Sequence, residues 1–127
     1  MSASRIAVVG ASADRRKFGN KCVRAFQSAG WTVYPVHPTE TSVEGLTAYR
    51  SVADIPGGVD VVSVYLNPKV GVGAVPSFAG SGAKEVWFNP GAESAEVLAK
   101  ARELGLNAIA ACSIVGYGMN PHTFPDE

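Results

Sequence analysis

The residues best able to do chemistry stand together in one stretch, Gly10-Ala11-Ser12-Ala13-Asp14-Arg15-Arg16-Lys17-Phe18-Gly19-Asn20. Small residues at its start let backbone N–H groups face an anion, and Ser12 adds a hydroxyl. A helix beginning in this stretch would turn the positive end of its dipole to the same place. Arg15, Arg16, Lys17 and Lys21 outweigh Asp14, a basic island in a chain whose eleven basic and eleven acidic residues otherwise cancel. The chemistry implied is the holding of a phosphate-bearing ligand, and a pyrophosphate flanked by a further phosphate suits the island best.

The usual dinucleotide fingerprint, G-x-G-x-x-G, is not met. Ser12 and Arg15 stand where its second and third glycines belong, and the next glycine is Gly19. An NAD site also places Asp or Glu after the second strand to hold the ribose diol, yet Val36, His37 and Pro38 come there and no carboxylate precedes Glu40. NAD is therefore disfavoured; a ribose already carrying a phosphate is not. No catalytic constellation is evident. His37 and His122 lack spaced carboxylate partners, Ser12 lacks a nucleophile elbow and Cys112 has no signature of its own. No catalytic residue and no metal ligand is expected. His122 reads as solvated. Cys22 and Cys112 fit neither a disulfide framework nor zinc spacing and read as buried thiols.

A phosphate-facing loop must hang from a strand, and the sequence supplies one. Arg5–Val9 is a short apolar run, rich in β-branched residues, that Gly10 stops. Phe18, Cys22, Phe26 and Ala29 recur at near-helical spacing, with Gly30 placed to close the helix. Trp31–Val36 predicts the second strand, with Pro35 where no ladder donor is needed. Ser51–Ile55 reads as a short helix or turn, Asp60–Leu66 as a strand, and Lys84–Asn89 as another stopped by Pro90-Gly91. Ser94 is placed to cap a helix with the stripe Val97, Leu98, Ala101 and Leu104, closed by Gly105; Asn107–Ala111 gives a fifth strand. Pro68–Gly82 should be the crossover helix, yet it contains Gly71, Gly73, Pro76, Gly80 and Gly82. Each interior Gly costs about 1 kcal/mol and Pro about 3 kcal/mol relative to Ala. A short first turn with Pro68 at its start, then a break near Pro76, is expected.

Strands alternating with helices over 127 residues imply one α/β domain, residues 1–127, of Rossmann-like type. It has a parallel sheet of about five strands with helices on both faces. Ligands in such sheets sit beyond the carboxyl ends of the strands, at the topological switch point. Hydrophobic residues at 46% and charged ones at 17% are a globular balance, and the neutral total gives no reason to expect nucleic acid or a membrane surface. Met1 to Arg5 carries no apolar signal region and no apolar run approaches the ~18 residues of a membrane span, so the cytoplasm is the expected compartment. The open edges of a small parallel sheet make a homodimer an option.

The chain resembles the CoA-binding domain family, the Rossmann-like unit also found at the N-terminus of succinyl-CoA synthetase α-subunits and of NDP-forming acyl-CoA synthetases. The resemblance runs through Val8-Val9-Gly10-Ala11-Ser12, Lys17-Phe18-Gly19-Asn20, Val33–Pro38, Tyr49–Pro56, Val59–Val64, Gly82–Trp87 and Ala101–Leu106. It implies that Gly10, Ala11 and Ser12 wrap the CoA diphosphate while Lys17, Phe18 and Gly19 close the loop; the basic island itself leads to the expectation that Arg16 lies near the phosphates. It puts His37-Pro38 against the nucleotide end and Leu66, Asn67 and Pro68 along the adenine or pantetheine side, with Asn89-Pro90-Gly91 on the rim. His37 departs from the family's usual Asn and alters donor geometry. The glycine-rich Pro68–Gly82 and the tail from Cys112 to Glu127 also depart from it. The function implied is non-catalytic binding of coenzyme A or an acyl-CoA. The alternatives are an NADP-binding oxidoreductase-like domain and a regulatory or structural subunit with a vestigial pocket.

Overall fold

Ile6, Ala7, Val8 and Val9 are all buried because the strand they form, β1 (Arg5–Val9), is covered on both faces. Ile6 and Val8 enter one core with Cys22, Val23, Phe26 and Ile114. Ala7 and Val9 enter the other with Phe78, Phe88 and Val97. This is the packing that makes a parallel strand read as an unbroken apolar run. A computed structural model describes residues 4–127; Met1–Ala3, part of the stretch examined for a signal region, lie outside it.

After β1 come α1 (Phe18–Ser28), β2 (Thr32–Val36), a hairpin of β3 (Ser42–Val43) and β4 (Leu46–Thr47), β5 (Val61–Val64) and α2 (Pro68–Ala74). Then follow β6 (Glu85–Phe88), α3 (Ala95–Glu103), β7 (Ala108–Ala110) and the single-turn α4 (Ser113–Gly116). The main sheet has five strands in the order β2-β1-β5-β6-β7, every neighbouring pair parallel. Helices α1 and α4 pack on one face, α2 and α3 on the other. The chain runs from β1 outward to β2, then returns to the far side of β1 as β5. The switch point therefore lies between the carboxyl ends of β1 and β5.

Local chemistry explains the joints. Thr32 N donates to Ser4 O, so alternation turns the nitrogen of Pro35 away from β1. On that outer side Tyr49 N donates to the Pro35 carbonyl, which needs no donor in return. Ser94 caps α3 by accepting from Val97 N at 3.1 Å. Pro68 opens α2, and the helix gives way to a 3-10 turn, Val75–Ser77, containing Pro76. The glycine-rich segment is thus a helix of seven residues and a break, as its composition predicts.

Several expectations are corrected. Phe18 (52% exposed) and Ala29 do not belong to the buried stripe of α1. Phe18 is the first helical residue and projects past the sheet end, while Ala29 is already the C-cap. Leu104 is the C-cap of α3 and is exposed for the same reason. Cys22 is fully buried, but Cys112 only half so. The predicted strand Asp60–Leu66 shortens to Val61–Val64. The Asp60 carboxylate takes the Arg5 N–H at 2.8 Å at one end, and Leu66 turns into the cleft at the other. The β3–β4 hairpin and α4 were not foreseen.

Candidate ligand-binding cleft

The carboxyl ends of the strands are stitched together by single backbone bonds: Gly10 N to Val36 O, Tyr65 N to Val9 O and Asn89 N to Val64 O. Gly10 sits at φ 87°, and a Cβ there would lie 2.6 Å from the Tyr65 carbonyl oxygen. A Cβ on Gly19 would lie 2.3 Å from the carbonyl oxygen of Gly10. The two glycines thus bring the first turn of α1 down onto the switch point. Their first service is to the fold, so replacing Gly10 would test packing before it tested any ligand.

Above these ends lies a cleft with two lobes. The larger, about 420 Å³, has Gly10-Ala11-Ser12 and Lys17-Phe18-Gly19 on one wall, with Tyr65-Leu66-Asn67 and Pro90-Gly91-Ala92 on the other. The smaller, about 280 Å³, is lined chiefly by apolar groups, among them Val36, Val52, Leu66, Val70 and Phe78, with Arg50 beside them. Gly10, His37, Pro38 and Leu66 border both. All the sequence-predicted residues except Arg16, Pro68 and Asn89 line the larger lobe, Asn89 being buried beneath its floor. Pro68 borders an adjoining groove with Lys69, Ser94 and Glu96. The lining that sequence reasoning missed is Tyr65 and Ala92 in the larger lobe and most of the smaller one.

The basic island is mostly spent within the chain. Arg16 Nε and Nη2 donate to the two Asp14 carboxylate oxygens at 3.0 and 2.9 Å. Those bonds hold the Asp14 carboxyl at a pKa of about 2. Arg15 donates to the Glu127 carbonyl and to Glu44, and Lys21 pairs with Asp126 at 2.7 Å. Among the described residues, Lys17 is the island's cation with no hydrogen-bond or ion-pair partner, and it lines the cleft. Arg16 is thus clamped to Asp14 and lies outside the lining of the larger lobe.

The first turn of α1 is also unsatisfied. Helices α2 and α3 have side-chain caps, Asn67 accepting from Lys69 N at 3.0 Å and Ser94 from Val97 N. Helix α1 begins after Lys17 with no side-chain cap and no acidic residue in its first turn. Its leading N–H groups and its positive dipole end are left to the cleft. Ser12 Oγ accepts from Asp14 N at 3.0 Å, which leaves the hydroxyl proton free to donate. Fully buried Asn20 braces this wall: its amide donates to Ser12 O and Glu44, and its oxygen accepts from Arg24 Nε at 2.7 Å. Arg24 in turn donates to Arg15 O and Pro125 O, tying the loop to the C-terminal tail.

Beneath the floor, buried Asn89 donates to Ser63 Oγ and Val64 O and accepts from Ser113 N. Ser63 and Ser113 hydroxyls meet at 2.8 Å, and Cys22 Sγ donates to Ser63 at 3.6 Å. Burial pushes the Cys22 thiol up to about 11 and the Tyr65 phenol higher still, so both stay protonated at neutral pH. This cluster locks β5, the end of β6, α1 and α4 together. Among the described residues no group of three or more His, Cys, Asp or Glu side chains converges as for a metal, and no helix is long and apolar enough to cross a membrane.

Comparison with known proteins gives this cleft its context. The family model of the CoA binding domain matches residues 4–118. The chain belongs to that family. It is 30% identical over 105 residues to the uncharacterized protein YneT of Bacillus subtilis, covering 83% of this chain and 78% of that protein. Over 65 residues it is 42% identical to the α subunit of Pyrococcus furiosus ADP-forming acetate–CoA ligase II, covering 50% of this chain but 14% of that protein. A solved structure of a conserved hypothetical protein from Pyrococcus furiosus superposes with a TM-score of 0.81 at 38% identity, covering 89% of this chain and 98% of that one. The dinucleotide-forming acetyl-coenzyme A synthetase 1 of Ca. Korarchaeum cryptofilum gives 0.73 at 30% identity, over 85% of this chain and 26% of that one. The same fold unit is thus found both nearly alone and as a fraction of larger enzymes.

Proposed function

We propose that the chain binds coenzyme A, or an acyl-CoA, in this cleft and does not itself turn it over. The observation that carries the reading is the larger lobe's wall. There the uncapped first turn of α1, the free donor of Ser12 and the unpaired Lys17 face the same space. Fixed N–H donors and one mobile cation suit a diphosphate. The adjoining apolar lobe offers Val36, Val52, Leu66 and Phe78 to a flat, weakly polar group such as a purine. The family membership and the CoA-linked activities named for the larger relatives support the same ligand. In this reading Gly10, Ala11, Ser12, Lys17, Phe18 and Gly19 hold the diphosphate, His37 and Pro38 the nucleoside, and Leu66 and Asn67 the opposite wall. Pro68 sets the start of α2, and Arg16 acts on the loop through Asp14.

A thermal-shift panel with CoA, acetyl-CoA, dephospho-CoA, NAD and NADP tests it. A ligand at 100 times its Kd adds about 2.7 kcal/mol, which raises the melting temperature of a domain this size by several degrees. Stabilisation by CoA, weaker with dephospho-CoA, is expected. Stabilisation by NADP alone would replace the reading with a pyridine-nucleotide site, and no stabilisation at millimolar ligand would end it.

A further inference from the structure

His37 stands on the boundary of the two lobes, half-buried and bordering both. Its backbone is fixed, since His37 N donates to Tyr49 O at 2.8 Å. Its ring is fixed as well. Nδ1 accepts from Glu40 N at 2.8 Å and from Thr39 N at 3.1 Å. A nitrogen that accepts two backbone N–H groups carries no proton, so the neutral ring holds its proton on Nε2. An Asn here would make the same turn with its carboxamide oxygen in place of Nδ1. Histidine keeps that turn and adds a donor farther from the backbone. Its companions on the boundary, Gly10, Pro38 and Leu66, bring no side-chain acceptor to meet it.

We propose that His37 is a specificity-determining residue whose Nε2–H donates to an oxygen on the ribose of the bound nucleotide, or on a phosphate of that ribose. The inference rests on the CoA-class reading above. The anion-holding wall and the apolar lobe lie on either side of His37, and a nucleotide joins its phosphates to its base through the sugar. The sugar therefore crosses the boundary where this donor stands.

Calorimetric titration of CoA, dephospho-CoA and 4′-phosphopantetheine into the wild type, His37→Asn and His37→Gln tests it, together with ¹H–¹⁵N multiple-bond correlation spectra of the histidine rings. The spectra of the ligand-free protein should show Nδ1 of His37 as the unprotonated nitrogen, and CoA should shift Nε2. His37→Asn keeps the turn and the melting temperature but binds CoA about 3–10-fold more weakly, the worth of one hydrogen bond. His37→Gln, whose amide reaches the Nε2 position, retains more of the CoA affinity. Binding of 4′-phosphopantetheine, which lacks adenosine, is unchanged in both. An equal loss with dephospho-CoA identifies a ribose oxygen as the acceptor, and a loss confined to CoA identifies the 3′-phosphate. An Nδ1–H tautomer, undiminished CoA binding by His37→Asn, or an equal loss with 4′-phosphopantetheine would overturn the role of His37 while leaving CoA binding intact. Failure of the wild type to bind CoA would overturn both.

Discussion

Lys17 occupies the N-cap of α1, a position where Ser, Thr, Asp or Asn would satisfy the helix better. Its φ of −82° and ψ of 145° are extended, so an Asp fits there without strain. Lys17→Asp should therefore raise the stability of the ligand-free protein by about 0.5–2 kcal/mol, through a cap bond and a favourable charge at the dipole's positive end. The same change fills the anion site with a carboxylate, and CoA binding should fall by roughly tenfold or more at low salt, less at high salt. Urea unfolding and calorimetry on one preparation read both effects. A lower unfolding midpoint, or unchanged CoA affinity, would remove α1's first turn from the site. Arg16→Ala is the contrast: its guanidinium is already committed to Asp14, so CoA affinity should stay within about a factor of two, the scale of a screened surface charge.

At the scale of elements, helix α2 shows the same trade between stability and space. It is seven residues long with glycines at 71 and 73. A Cβ on Gly73 would meet nothing within 4 Å, and Gly73 lines the smaller lobe. Gly73→Ala should stabilise the ligand-free protein by about 0.5–1 kcal/mol by restricting the unfolded chain and favouring helix. Because the methyl enters the lobe, CoA affinity should drop while 4′-phosphopantetheine affinity holds; affinity for CoA that rises with stability would show the lobe to be unused. What the sequence disclosed follows from element physics. Most of the five strands were legible because they are apolar runs buried on two faces or are closely followed by a glycine or proline; the edge strand β7 was legible as a short apolar run after the Gly105 helix stop. The glycine–basic loop was legible because its chemistry is contiguous. The smaller lobe was not, since Val36, Val52, Val70 and Phe78 come from four separate segments that only the crossover brings together. Phe18 and Leu104 were misplaced because periodicity gives a helix face but not where the sheet beneath it stops. The β3–β4 hairpin, with strands of two residues, is too short for alternation to register, although Glu44 (φ 50°) and Gly45 (φ 78°) make its turn. The partners of the basic residues were hidden too, because Asp126 and Glu127 lie more than a hundred residues from Lys21 and Arg15.

The five-stranded main sheet lies between two cores, and the cleft is where the two halves of the winding part. One lobe is walled by α1, on the face of the Phe26 core; the other by α2, on the face of the Phe78 core. A ligand spanning both must restrain segments that are remote in sequence and packed on opposite faces. Backbone bonds from Gly10 to Val36, Tyr65 to Val9 and Asn89 to Val64, with the Asn89 side chain bonded to Val64 O and Ser63, join the strand tips there. Local opening at such edges lies at the low-stability end of a domain and responds to ligands. Hydrogen-exchange mass spectrometry should therefore show CoA slowing exchange together in residues 10–21, 37–40 and 65–74, with no change near Asp60, Lys84 and Tyr117 at the opposite end of the sheet. Inorganic pyrophosphate should protect only 10–21, since it reaches one lobe. Protection by CoA confined to that same loop would reduce the site to an anion pocket, and protection at the opposite end would place the ligand elsewhere. Protection on both sides of the switch point requires the two lobes to be filled by one molecule, which neither a diphosphate nor a purine alone can do.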